Sequence, residues 1–233
     1  MTPHHGIARV LSKRGFCSRS QAEALVRAGR VTLGGRVVRD PEAPVDAQLA
    51  SIAVDGIAVG SAERVHIALN KPRGLVTTLS DEQGRDTVYR CLDGAGLPWV
   101  APVGRLDRAS EGLLLFTNDT SWAARLTDPA ARLDKTYHVQ IDALPNADLL
   151  YRLHAGTDDR GERLAAKAVR ELRRGEKNAW LEIVLDEGRN RHIRRLLAAH
   201  SVGVLRLVRV AIGPLLLGAL ARGTWRFLDV AEV

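Results

Sequence analysis

Residues 104–112 read GRLDRASEG, and the apolar run LLLFT follows at 113–117, before the pair Asn-Asp. Because the apolar run is short, contains no Gly or Pro and ends at a turn pair, it predicts a buried strand. Asp107 then lies on the loop that enters this strand, between Arg105 and Arg108. Such a carboxylate is either a loop residue in surface ion pairs or a nucleophile or acid held ionised by arginine. In the second case, the glycines on both sides let a substrate come close.

The chain of 233 residues can form one large domain, or a small domain and a medium one. Its two cysteines, Cys17 and Cys91, are too few and too far apart to predict a disulfide framework, and no Cys/His cluster has zinc spacing. No apolar run reaches the roughly 18 residues of a membrane span, and the N-terminus has no apolar signal core. We therefore expect a cytoplasmic protein with no metal and no membrane contact.

The net charge of +7 is unevenly distributed along the chain. Residues 1–39 have a net charge of +7, residues 40–187 of −6 and residues 188–228 of +8. Two basic segments around an acidic middle predict a surface that binds a polyanion, because phosphate neutralisation drives nucleic-acid affinity. The alternative is a solvated basic face without a ligand.

Local signals near the N-terminus predict two short helices and a hairpin. Apolar residues at helical spacing predict a helix over 7–14 that ends at a glycine. Ser18 and Gln21 have the spacing of a capping box, which starts a second helix over 19–28. The alternating segment 30–39, with a Gly-Gly turn at its centre, predicts a β-hairpin.

This arrangement resembles the S4 RNA-binding domain, which is found in many RNA enzymes. The resemblance implies that residues 1–60 form an S4-like domain that contacts the RNA backbone. Such contacts position a protein on RNA without reading its sequence. The basic residues that match these positions are Arg9, Lys13, Arg19, Arg27, Arg30 and Arg36.

The segment GRLD, followed by SEGLLLFTND, closely resembles the catalytic motif of the bacterial ribosomal RNA pseudouridine synthases. Three further segments match that family in the same order: NKPRG at 70–74, KTY at 135–137 and GRNRHIRR at 188–195. The resemblance extends from about residue 7 to residue 228. Because the Asn-Lys-Pro segment opens the catalytic domain in this family, we expect that domain to span 65–233.

The resemblance also implies roles for individual side chains. Asp107 would be the essential carboxylate, and Tyr137 would stack on the target base, although a buried tyrosine often has only a packing role. A basic residue of the family pairs with the aspartate, and Arg194 aligns best with it, with Arg189 as the second candidate. Further RNA contacts near the site are expected from Arg105, Arg189 and Arg191.

Separate predictions concern two residues of the segment GRNRHIRR. Asn190 can cap the helix that follows it. His192 stands where glutamine is usual in the family, and it is either a tolerated surface substitution or an altered contact to RNA.

These observations predict an α+β fold, in which a small S4-like domain of two helices and a hairpin precedes the catalytic domain. That domain would have a long, mostly antiparallel mixed sheet flanked by helices. The implied activity is isomerisation of a specific uridine to pseudouridine in ribosomal RNA, by base flipping and without a cofactor. The partner would be ribosomal RNA or a ribosomal precursor particle, bound by a monomer.

Two other functions are alternatives to this one. A non-catalytic ribosomal RNA-binding or assembly factor would explain the basic charge, but not an Arg-flanked Asp, a Lys-Thr-Tyr and an arginine helix in family order. A glycosidase would need two paired carboxylates, and only Asp107 stands out, with Glu111 a weak second.

Overall fold

The structure is a computed structural model that describes residues 5–46, 51–60 and 62–233. The first four residues, where no signal core is expected, lie outside these ranges. The N-terminal elements are, in chain order, β1 His5–Gly6, α1 Ile7–Lys13, α2 Arg19–Arg27, β2 Val31–Leu33, β3 Arg36–Val38, β4 Pro44–Val45, β5 Ile52–Val54 and β6 Ile57–Ala58. Strands β3, β2, β5 and β6 form an antiparallel sheet in that order, and β1 pairs with β4.

The local signals of the N-terminal segment are confirmed. The Gln21 backbone N–H donates to Ser18 Oγ (3.2 Å), and the Ser18 N–H donates to Gln21 Oε1 (3.0 Å), which completes the capping box. Gly15 and Gly29 follow the two helices with φ of +72° and +73°, a conformation that glycine adopts at little cost.

The second part of the chain contains three helices and eleven strands in its described residues. They are β7 His66–Lys71, β8 Ala101–Val103, β9 Glu111–Thr117, α3 Thr120–Thr127, β10 Lys135–Ile141, α4 Ala147–Ala155, β11 Thr157–Asp159, β12 Glu162–Leu164, β13 Ala168–Arg174, β14 Ala179–Leu185, α5 His192–Ala198, β15 Val204–Ile212, β16 Leu215–Leu216 and β17 Trp225–Phe227. Short 3-10 helices cover Val88–Leu92, Pro129–Ala131 and Val230–Glu232.

Nine of these strands form one mixed sheet. Its main order is β13-β14-β10-β15-β9-β7-β17, while β16 pairs with β15 and β8 pairs with β9. Strand β10 is antiparallel to both β14 and β15, and β15 runs parallel to β9. A mixed sheet with helices, which follows the N-terminal helices and hairpin in the chain, confirms the predicted α+β class.

One face of the sheet is buried against helix α5. Val139 and Ile141 on β10 pack in one apolar cluster with Leu181 and Ile183 on β14 and with Leu196 on α5. Because side chains alternate along a strand, the odd-numbered residues of β10 share this face. The alternation places Lys135 and Tyr137 on the same side of the sheet as the core.

The chain divides into two compact units. One holds the described residues up to His66 together with 94–101 and 116–123, and the other holds 67–93, 102–115 and 124–233. Throughout the described ranges, every helix is too short or too polar to traverse a lipid bilayer.

Candidate active site

The loop that carries Asp107 is held in place by hydrogen bonds from a buried lysine. Lys71, at the end of β7, is fully buried, and its Nζ donates hydrogen bonds to three backbone carbonyls. The acceptors are Pro72 O (3.1 Å), Asp107 O (3.2 Å) and Ser110 O (2.8 Å). Burial lowers the pKa of Lys71 to about 8, although the negative charge of Asp107 acts to raise it. The backbone at Asp107 and three residues after it is therefore held by one side chain.

Two further contacts fix this loop between strands β8 and β9. The Thr77 hydroxyl donates to Leu106 O (2.7 Å), in a buried position just before Asp107. Gly112, at the start of β9, has φ of +99°, and a Cβ there would lie 2.2 Å from the carbonyl oxygen of Arg209. Only glycine fits where β9 approaches β15 this closely.

Asp107 opens onto a cavity of about 320 Å³. Its side chain is 35% exposed, so the carboxylate is accessible at the end of a rigid loop. The cavity is lined by all the site residues that the sequence predicts in this part of the chain, which are Arg105, Asp107, Tyr137, Arg189, Arg191 and Arg194.

The arginine that pairs with Asp107 differs from the expected one. Arg191 Nη1 lies 3.8 Å from Asp107 Oδ2, whereas Arg194 Nη2 donates to the backbone carbonyl of Ala109 (3.1 Å). Burial lowers the pKa of Arg194, and so does the charge of Arg191, while the Asp107 carboxylate opposes the shift. Arg194 therefore supports the backbone of the loop and acts on Asp107 through its charge. The second candidate, Arg189, pairs with Glu187 (Nε to Oε1, 2.9 Å).

The start of α5 also differs from expectation. The residue before the helix is Arg191 in a left-handed conformation (φ 49°), without a side-chain cap, so Asn190 does not cap this helix. His192 is only 3% exposed and lines the cavity, so the interpretation as a surface substitution is wrong. Burial lowers the pKa of His192 below its ordinary value, despite the nearby Glu187 carboxylate.

Tyr137 lies on β10, where its ring both packs against the core cluster and lines the cavity. It pairs across the sheet with Ile183 on β14 and with Arg209 on β15. The alternation of side chains along β10 accounts for this core-side orientation. The ring has an apolar surface available beside the Asp107 loop.

Lys71, Thr77 and Arg209 complete the site, although sequence reasoning assigned them no role. A lone lysine or arginine is usually exposed, so its residue type does not indicate burial. The only available signal for Lys71 was its position at the end of an apolar strand, directly before the Pro of the Asn-Lys-Pro segment.

The six basic residues of the N-terminal unit that are expected to contact RNA are all exposed, but they differ in their partners. Arg19 contacts Glu23 (3.3 Å) and Glu42 (3.1 Å), Arg27 contacts Glu23 (3.5 Å), and Arg30 Nε donates to Asp55 Oδ1 (2.9 Å). Lys13 Nζ lies 3.0 Å from His5 Nε2. In the described ranges, no carboxylate pairs with Arg9, Lys13 or Arg36, so these three have the most charge available for a phosphate.

Comparison with known proteins identifies the class. Residues 65–199 match the family model described as RNA pseudouridylate synthase, and residues 6–49 match that of the S4 domain. The protein is thus an RNA-modifying enzyme with an RNA-binding domain at its N-terminal end. This agrees with the geometry of an accessible carboxylate in an arginine-lined cavity.

Full-length relatives give the family itself. A protein of Aquifex aeolicus (strain VF5) is 37% identical over 229 residues, which are 97% of this chain and 91% of that protein. One of Mycobacterium tuberculosis (strain ATCC 25618 / H37Rv) is 38% identical over 232 residues, with coverage of 97% and 91%. Both are described as uncharacterized RNA pseudouridine synthases. The chain belongs to the RNA pseudouridine synthase family, which confirms the resemblance seen in its motifs.

The fold agrees with this assignment. A solved structure, described as the crystal structure of pseudouridylate synthase, superposes with a TM-score of 0.68 at 26% sequence identity. The match covers 98% of this chain and 97% of that one. The activity of this protein is therefore isomerisation of uridine in RNA.

Proposed function

We propose that this protein converts a uridine of ribosomal RNA to pseudouridine, with Asp107 as the essential carboxylate. The observation that carries the proposal is the position of Asp107: its carboxylate is 35% exposed at a cavity, on a loop anchored by Lys71, with Arg191 at 3.8 Å. Ribosomal RNA is proposed as the substrate because the motifs resemble those of bacterial ribosomal RNA enzymes and because an S4 domain precedes them.

The reaction breaks the bond from ribose C1′ to uracil N1, turns the base and joins C1′ to C5. The carboxylate of Asp107 can take part by adding to the ribose, by adding to the base or by removing a proton. Each route uses the carboxylate form of Asp107. Arg191, the residue before α5, and Arg194, in the first turn of α5, bring positive charge to that carboxylate.

The target uridine must leave its stack before Asp107 can reach it. Unstacking costs a few kcal/mol, and a protein recovers this by contacts to the extruded base. Tyr137 offers its ring for stacking, and it is held in place by its packing against the core cluster. Arg105, Arg189 and Arg191 line the same cavity and are suited to the flanking phosphates.

The N-terminal unit would add affinity without sequence readout, chiefly through Arg9, Lys13 and Arg36. Arg19, Arg27 and Arg30 can join them, because exposed ion pairs are weak and exchange partners at little cost. We expect the protein to act as a monomer in the cytoplasm, on free ribosomal RNA or on precursor particles.

The test uses purified protein and unmodified ribosomal RNA of each subunit, labelled with tritium at uracil C5. Tritium released to water, together with pseudouridine mapped to one site, is expected from the wild-type protein and not from Asp107→Asn. Tight RNA binding without release would favour the non-catalytic assembly factor, and release of free uracil would favour a glycosidase.

A further inference from the structure

Arg209 is a buried arginine whose charge is not neutralised by a carboxylate. It lies on β15, is 6% exposed, and donates from Nε to the carbonyl oxygen of Leu113 (2.8 Å). Its Nη2 has no hydrogen-bond partner, and no carboxylate of the described residues lies within ion-pair distance of its guanidinium. A buried cation with an unsatisfied hydrogen-bond donor destabilises the folded chain. A ligand that accepts a hydrogen bond from Arg209 would remove this cost.

The sheet register places Arg209 beside the proposed base platform. Arg209 pairs directly with Tyr137 across β10 and β15, and both line the cavity onto which Asp107 opens. Directly paired residues of neighbouring strands have their side chains on the same face, close enough to contact one ligand. If the Tyr137 ring covers the face of a uracil, its neighbour on β15 meets the edge of that base.

A second cationic side chain lies on the same face of the sheet as Arg209. Lys135 precedes Tyr137 by two residues and also lines the cavity. Burial lowers the pKa of Lys135, and the charge of Arg209 is the next largest cause of this lowering. The carboxylates of Asp134 and Asp186 act in the opposite direction and raise it. A ligand that carries or develops negative charge would relieve this repulsion.

The reaction itself generates such a ligand. When the bond from C1′ to N1 breaks, its electron pair stays on the uracil, and the negative charge spreads over N1 and the two carbonyl oxygens. A fixed donor aimed at the place where charge develops lowers the barrier, because it needs no reorganisation during the step. The flanking phosphates would be met by the more exposed arginines of the cavity, whereas the extruded base would enter it where Arg209 is buried.

We infer that Arg209 is a further catalytic residue, which donates to a uracil carbonyl oxygen and stabilises the uracil anion during its transfer. The inference rests on the proposed function of this site. Turning uracil about the axis through N3 and C6 exchanges N1 with C5 and O2 with O4. One fixed guanidinium can therefore hold O2 before the turn and O4 after it. The new bond from C1′ to C5 then forms, C5 loses its proton, N1 gains one, and no electrons are exchanged with another reagent.

The test compares Arg209→Met and Arg209→Lys with a control, Arg173→Met, under single-turnover conditions. Arg173 lies on the other face of the sheet, stacked over Trp180 at 4.7 Å. Loss of one donor to a developing anion typically slows a reaction about 100-fold or more, and we expect this for Arg209→Met. Arg209→Lys should retain part of the rate, and Arg173→Met all of it.

A second substrate separates catalysis from folding. Fluorine at C5 withdraws electrons and stabilises the uracil anion by itself, so the deficit of either Arg209 variant should be smaller on 5-fluorouridine than on uridine. Because 5-fluorouridine carries fluorine where uridine loses its C5 proton, the rate compared on both substrates is the disappearance of the starting nucleoside from the RNA. It is measured by chromatography and mass spectrometry after digestion. If Arg209→Met does not fold, Arg209→Lys provides the same comparison.

Equal deficits on the two substrates, or a normal rate of Arg209→Met, would overturn the inference alone. An inactive wild-type protein would instead overturn the proposed function, and the inference with it.

Discussion

Replacement of Lys71 by methionine removes the anchor of the Asp107 loop. The change deletes three hydrogen bonds from a charged donor, to Pro72, Asp107 and Ser110. At about 2 kcal/mol for each bond, their loss costs about 6 kcal/mol. The same change also removes a buried charge. The cost of burying that charge is seen in the pKa of Lys71, which burial lowers from 10.5 to about 8. At 1.36 kcal/mol per pKa unit, this relief is about 3.4 kcal/mol.

The lost hydrogen bonds therefore outweigh the relief, and Lys71→Met should be destabilised by about 2 to 3 kcal/mol. For a chain of this length, that lowers the melting temperature by about 5 to 10 °C. Turnover should fall as well, because the backbone of Asp107 is no longer fixed. The matched control is Lys167→Met, which removes only a half-exposed ion pair with Asp134 and should cost under about 1 kcal/mol.

The assay is thermal and urea unfolding followed by circular dichroism, with turnover measured on the same preparations. Lys71 has a lower pKa in the folded chain than in the unfolded one, so the unfolded chain binds more protons between pH 8 and 10.5. The stability of the wild-type protein relative to Lys71→Met should therefore rise over that window and fall as the pH drops to 8. A variant that melts with the control, turns over normally and shows no such pH dependence would refute this account of the loop.

Two further predictions concern Gly112 and His192. Gly112→Ala should lose at least about 2 kcal/mol in urea unfolding, because its Cβ would lie 2.2 Å from Arg209 O at a φ of +99°. Gly84→Ala, with φ of +66° and nothing within 4 Å, is the control, and equal losses would contradict the close approach of β9 to β15. His192→Gln should reduce the loss of stability on acidification below pH 6.5, because the buried ring binds protons less readily than the unfolded one. Unfolding free energies at pH 7 and pH 5 measure this, and parallel changes in both proteins would contradict it.

Local signals were sufficient for most elements of the fold. The capping box at Ser18 and Gln21 starts α2, and the apolar run 113–117 lies within the fully buried strand β9. The alternation of 135–141 gives β10 with Tyr137 on the core side. Each of these depends on neighbours within a few residues, so the sequence carries the information directly.

The contacts of the site depend on distant parts of the chain, and they were less predictable. Arg191 and Arg194 are only three residues apart, and the ion pair with Asp107 is formed by Arg191, which has a left-handed backbone conformation before α5. The burial of Lys71 follows from the convergence on it of carbonyls that lie up to 39 residues away from it in sequence. The periodicity of apolar residues within a segment carries no information about such contacts between distant segments.

The central claim is that turnover requires the charge of Asp107. The most direct measurement is single-turnover conversion of uridine in unmodified ribosomal RNA by Asp107→Asn, with RNA affinity and melting temperature measured in parallel. Asparagine keeps the shape of a side chain that is 35% exposed, so stability should change by less than about 0.5 kcal/mol. We predict no detectable pseudouridine and near-normal RNA binding. Conversion at a rate close to that of the wild-type protein would contradict the account.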